Sequence, residues 1–113
     1  MTRDYRLYLD DILESCRKIR QFTEGMSFQE FRLDVKTQDA VIRNFEVIGE
    51  AANHLPEEIR SLFQNIEWAK IVGFRNILIR EYFGVNLQTV WSALAEKLSD
   101  FEEQTKAVLA DET

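Results

Sequence analysis

The sequence predicts an all-α fold, an antiparallel four-helix bundle with one or two additional short helices, on three observations. Four glycines and one proline in 113 residues leave little turn-forming chemistry, which favours long helices. Apolar residues recur at steps of three and four over several long stretches. Cap signals stand at the joints between those stretches. Together they describe one helical domain over residues 1–113.

The first helix is expected from about Arg3 to Phe22. Its stripe is Tyr5, Tyr8, Leu9, Ile12, Cys16 and Ile19, all on one face. Thr23-Glu24-Gly25 ends it. The adjacent Asp10 and Asp11 invite a metal or acid–base reading, but helix acids ordinarily form a solvated face, and no metal site is expected. Ser27-x-x-Glu30 is a capping box opening a short helix anchored by Phe28 and Phe31.

A long helix follows over about Val35 to His54, with Asp34 as its cap. Val41, Phe45, Ile48, Ala52 and Leu55 form its inner stripe. Gly49, with Ala51 and Ala52 close by, leaves room for another helix to approach, as tight packing within the chain or, in a sharper reading, as a dimer contact as well. Glu50 and His54, four residues apart, are spaced to hold a metal. Without a Glu-x-x-His pair a di-iron bundle is not supported, and His54 fits better as a helix-end residue favoured by the dipole.

Pro56-Glu57-Glu58 starts a short helix carrying Ile59, Leu62 and Phe63. Trp68, whose indole needs a partner wherever it is buried, leads into the next element. Asn86 caps the last helix, where Leu87, Val90, Trp91, Leu94, Leu98, Phe101 and Val108 make a nearly heptad stripe. The tail from Ala110 to Thr113 is expected to fray.

Composition excludes several function classes. Hydrophobic residues are 45% and charged residues 30% of the chain, as in a soluble globular protein. The net charge of −6 gives no general basic surface for nucleic acid, so any RNA contact must come from a local arginine cluster. The lone Cys16 excludes a disulfide framework and points to a reduced cytoplasm. No signal peptide or membrane-length apolar run is present.

The stretch from Gly73 to Gly84 is the unusual one. It reads as a helix closed by a left-handed cap at Gly84. Arg75, Asn76 and Arg80 interrupt Phe74, Ile77, Leu78 and Ile79, and Tyr82 brings a hydroxyl to the end of the run. On a helix Arg75 and Tyr82 lie within roughly 20° of each other, while Arg75 and Arg80 are about 140° apart in azimuth. Long side chains could reach one cleft from there. Spacing alone favours a plainer arrangement, a bundle helix with two snorkelling arginines.

Arg75-Asn76-x-x-x-Arg80-x-Tyr82, followed by Phe83-Gly84-Val85-Asn86, resembles the R-N-x-x-x-H-x-Y signature of the HEPN superfamily in its HepT-like toxin branch. Arg3-Asp4, Leu9-Asp10-Asp11-Ile12, Ile48-Gly49-Glu50-Ala51-Ala52, Leu55-Pro56-Glu57-Glu58, Ile66-Glu67-Trp68 and Val90-Trp91 match in the same order. The similarity therefore spans nearly the whole chain.

The resemblance implies a metal-independent endoribonuclease, working as a homodimer whose paired signature helices line one RNA cleft. It gives Arg75 the role of stabilising charge on phosphorus and Asn76 that of orienting a group. It also implies a neighbouring MNT-type nucleotidyltransferase antitoxin, which uses ATP and Mg2+ to transfer AMP to Tyr82. One residue departs from the pattern: Arg80 stands where the family has histidine. A guanidinium cannot take a proton near neutral pH as imidazole does. The expectation is thus an inactivated nuclease, engineered or selected. The alternatives are a non-catalytic helical adaptor for a nucleotidyltransferase, or a dimer that binds nucleotide or RNA without cutting it.

Overall fold

Four side-chain caps set where the chain enters its helices in the computed structural model, which describes residues 4–81 and 83–111. Asp4 accepts from the Arg6 amide at 3.0 Å and opens α1, Tyr5–Thr23. Ser27 and Glu30 form the reciprocal box that starts α2, Phe28–Arg32. Asp34 accepts from the Thr37 amide and opens α3, Val35–His54. Asn86 does the same for Thr89 at the start of α6, Leu87–Ser92. Each cap satisfies an amide that the helix itself cannot, worth typically ~1 kcal/mol. Three of these four joints, at Ser27, Asp34 and Asn86, lie where sequence places them.

Other boundaries move. Pro56 is the N-cap of α4, Glu57–Leu62, rather than its first residue. Trp68 is the first residue of α5, Trp68–Arg80, and donates its indole N–H to the Phe63 carbonyl at 3.1 Å. Gly25, with φ of 72°, turns the chain between α1 and α2 in the left-handed region that a side chain resists. Beyond α6 the rod continues without a break through a widened π turn, Ala93–Lys97, into α7, Leu98–Asp111. The Leu98 amide bonding the Ala93 carbonyl five residues back marks that turn.

The long elements α1, α3, α5 and the α6–α7 rod make the antiparallel four-helix bundle, with α2 and α4 as the additional short helices. Helix α3 lies between α1 and α5, and α7 packs on α1. Leu9, Ile12, Cys16 and Ile19 from α1 meet Val41, Phe45, Ile48 and Ala52 from α3 in the core. Phe31 is fully buried against Trp91, which also meets Phe28. Burying a Leu, Ile or Phe stabilises the fold by roughly 1.5–3 kcal/mol, so these stripes dominate the energetics. Of the apolar residues carried by the short α4, Ile59 is buried and Leu62 is 67% exposed.

The last stripe also shifts. Leu98, Glu102, Thr105 and Val108 form the buried face of α7, so an acid sits inside where an apolar residue is expected. Arg20 answers it with a two-pronged contact, Nε to Oε1 at 2.8 Å and Nη2 to Oε2 at 2.7 Å. That fork ties α7 to α1. Among the described residues, no helix is long and apolar enough to cross a membrane.

Candidate functional site

The signature helix owes its position to a glycine on its neighbour. A Cβ added at Gly49 would lie 2.8 Å from Arg75 Cγ, 3.3 Å from the Ile71 carbonyl oxygen, and nearer still to Arg75 Cβ. The stem of Arg75 therefore lies directly on the backbone of α3. Gly49, Ala51 and Ala52 are all buried within the chain. The tight packing within the chain expected of this small-residue segment is therefore formed.

With its stem fixed, the Arg75 guanidinium has few orientations. Its Nη2 lies 2.6 Å from Glu50 Oε2, and its Nη1 donates to Asn76 Oδ1 at 2.9 Å. Its Nε is buried without a hydrogen-bond partner among the described residues. The pair with Glu50 is partly exposed, 27% and 49% at the two side chains. Such pairs are worth ~0–1 kcal/mol, so a phosphate could displace the carboxylate at small cost.

Arg75 forms one wall of a cleft of about 270 Å³ between α1, α3 and α5. Tyr8 and Asp11 come from α1, Arg43, Glu46, Glu50 and His54 from α3, and Ile79 from α5. The His54 ring stacks on Tyr8, centroids 5.3 Å apart with 24° between planes. Its Nδ1 lies 2.8 Å from the Glu50 carbonyl and 3.6 Å from Glu50 Oε1. Glu50 thus touches both Arg75 and His54. Asp11, expected on a solvated face, is half-buried at the cleft wall, whereas Asp10 is exposed.

The signature residues do not all converge here. Arg80 is exposed and lies outside this cleft, with its Nε reaching the Asn76 carbonyl of its own helix at 3.4 Å. Asn76 is therefore the link: its side chain serves Arg75 and its backbone serves Arg80. The reason is the azimuth of about 140° between the arginines, which turns them to different sides of one helix. Ile77 and Ile79, interspersed among them, are 46% and 43% exposed, and only Leu78 of that run is buried. Tyr82 lies outside the described residues.

Gly84 does not close the helix in a left-handed cap. Helix α5 ends at Arg80, where the Glu81 amide bonds the Ile77 carbonyl at 3.0 Å, and the Gly84 amide then bonds Glu81 at 2.8 Å in a following turn. Among the described residues Gly25 is the glycine at positive φ.

The residues that sequence reasoning left out of the site are Glu50, Tyr8 and, in this role, His54. The i, i+4 spacing of Glu50 and His54 was visible, but that this pair meets Arg75 depends on how α3 crosses α5.

A family model described as ribonuclease HepT-like matches residues 12–108. A protein of Thermococcus cleftensis named probable ribonuclease HepT is 39% identical over 98 residues, 87% of this chain and 89% of the relative. Two further relatives are among those with provisional RNase names. One from Caldanaerobacter subterraneus is 37% identical over 107 residues, 95% of this chain and 96% of its own. One from Methanocaldococcus jannaschii is 38% identical over 109 residues, 96% and 90%. No solved structure gives a significant match. The matched span takes in α3 and α5, which carry Glu50, His54 and Arg75, and this chain belongs to the HepT-like ribonuclease family.

Proposed function

We propose that this chain is the toxin of a HEPN/MNT toxin–antitoxin pair, an endoribonuclease by design whose motif-based cleavage is disabled by Arg80. The observation that carries this reading is the placement of Arg75, with a stem fixed by Gly49 and a guanidinium on an open cleft. In the intact reaction the RNA 2′-hydroxyl attacks the neighbouring phosphate, and Arg75 bonds the oxygens that gain charge. Phosphate replaces Glu50 on Nη2, since a charge-assisted contact to phosphate is at least as strong as the half-exposed pair it displaces. Asn76 holds Nη1 and so orients the fork.

The remaining requirement is a group that takes and returns a proton, and at position 80 a guanidinium cannot meet it. A second copy would bring two sets of these arginines together, which offsets the net charge of −6 at the place where RNA binds. The partner enzyme, an MNT-type nucleotidyltransferase working in the cytoplasm with ATP and Mg2+, adds AMP to Tyr82. Its phosphate charge then repels the RNA backbone.

The deciding experiment is Arg80→His. The folded variant is expected to cleave single-stranded RNA at least a hundredfold faster than the parent chain and to become toxic on expression. An Arg80→His protein that is folded, free of AMP and no faster than the parent would overturn the reading.

A further inference from the structure

We propose that His54 is a second proton-transfer residue of the Arg75 cleft, giving this chain a slow cleavage route that does not use position 80. The inference rests on the ribonuclease reading above and adds a residue to it. His54 is the one histidine of the sequence, and it opens on the same cleft as Arg75. Its orientation is fixed from two sides. The ring stacks on Tyr8, and Nδ1 lies 2.8 Å from the Glu50 carbonyl. A carbonyl oxygen has no proton to give, so Nδ1 donates, and in the neutral ring the lone pair is then on Nε2. Such an imidazole is set to accept a proton.

Glu50 links this histidine to the phosphate-binding arginine. One carboxylate oxygen contacts Arg75 Nη2 at 2.6 Å and the other lies 3.6 Å from His54 Nδ1. When a phosphate takes Arg75, the released carboxylate is already beside the ring whose positive charge it would stabilise.

The step balances without a further reagent. Nε2 takes the 2′-hydroxyl proton as O2′ bonds to phosphorus and the P–O5′ bond breaks. The departing O5′ takes a proton from water, and the hydroxide left behind removes the proton from the imidazolium. The products are a 2′,3′-cyclic phosphate and a 5′-hydroxyl.

The test uses the parent chain, His54→Gln, His54→Ala and Arg80→His on one fluorogenic single-stranded RNA, with protein in excess and folding checked by circular dichroism. His54 is half-exposed, so neither substitution removes core packing. The parent is expected to cleave at least tenfold faster than His54→Gln, leaving cyclic phosphate ends. Free imidazole is expected to raise His54→Ala severalfold by filling the space beside Tyr8. Equal rates for parent and His54→Gln, or no cleavage by the parent above the RNA blank, overturn the proposal. A loss in His54→Gln without imidazole rescue of His54→Ala makes the residue structural and overturns it as well. Arg80→His reads the motif route separately, so its failure to accelerate counts against the function proposed above whatever His54 does.

Discussion

Gly49 and Arg75 are in contact where α3 crosses α5, so closely that a methyl group on the glycine would sit 2.8 Å from Arg75 Cγ. Two effects of Gly49→Ala oppose each other. Alanine gains about 0.8–1 kcal/mol in helix propensity. Forcing an extra carbon into a tight contact costs about 1–3 kcal/mol. The obstructing atoms include a Cβ and a backbone carbonyl, which cannot rotate away, so strain wins. Gly49→Ala is expected to lower stability by on the order of 1 kcal/mol in urea unfolding. In the Arg80→His background it is expected to reduce cleavage about tenfold through the displaced Arg75. A variant as stable and as active as its parent would show that the helices are not seated on this glycine.

Much of this fold was legible from residue pattern. The stripe Val41, Phe45, Ile48, Ala52 and Leu55 is buried throughout, as its spacing requires, and the capping box at Ser27 forms both of its bonds. Those features are local, and local chemistry decides them. The π turn at Ala93–Lys97 was not legible, because one extra residue in a helical turn leaves no mark in the apolar spacing on either side. It nevertheless belongs to the rod in which Glu102 faces inward. The site was half legible. Arg75 and Asn76 stand out as polar groups in an apolar run, but Glu50, the partner of Arg75, lies 25 positions earlier and reaches it only through the crossing of two helices. Arg80 and Arg75 looked able to share a cleft because both side chains are long, and the observed backbone turns them apart.

The Arg20–Glu102 fork brings a charged group to the edge of the core, with the carboxylate 7% and the guanidinium 48% exposed. Arg20→Ala leaves a nearly buried carboxylate with no counter-charge. Breaking a fully buried pair costs about 3–5 kcal/mol, and the exposure of Arg20 lets water reduce that to on the order of 2 kcal/mol. Arg20→Ala with Glu102→Leu removes both charges, and thermal melts are expected to show it more stable than Arg20→Ala alone. An equal or lower melting temperature for the double variant would mean the acid is solvated where it sits.

Cys16 is fully buried beside that fork, and burial, reinforced by the Glu102 charge, pushes its thiol from 9.0 to about 12. In the unfolded chain the thiol ionises near its ordinary value, while in the folded chain it stays protonated. The native state therefore binds more protons in this window, and stability falls as pH rises from about 9 toward about 12. Below that window the contribution is complete. Urea midpoints are expected to drop through the window in the parent and to drop less in Cys16→Ala. A thiol reagent is expected to label Cys16 only as fast as the protein unfolds. Rapid stoichiometric labelling of the native chain would contradict the burial.

Tyr82 is expected to accept AMP whether residue 80 is arginine or histidine. In that transfer the phenol oxygen attacks the α-phosphorus of ATP, pyrophosphate leaves, and the phenol proton goes to a base. On the proposed function the base and the Mg2+ that activate the reaction would belong to the nucleotidyltransferase, so the loss of a proton-accepting group at position 80 would not remove them. A guanidinium two residues from the acceptor can also hold triphosphate oxygens, which histidine does less well at neutral pH. The parent and Arg80→His, incubated with an MNT-type nucleotidyltransferase, ATP and Mg2+, should therefore both gain the mass of AMP on the peptide containing Tyr82. Tyr82→Phe should lose it. The parent is the cleaner substrate for this measurement, because its modification can be followed without selecting against a toxic protein. AMP appearing instead on the peptide containing Tyr5 and Tyr8, or on the Arg80→His form alone, would remove Tyr82 from the proposed regulation.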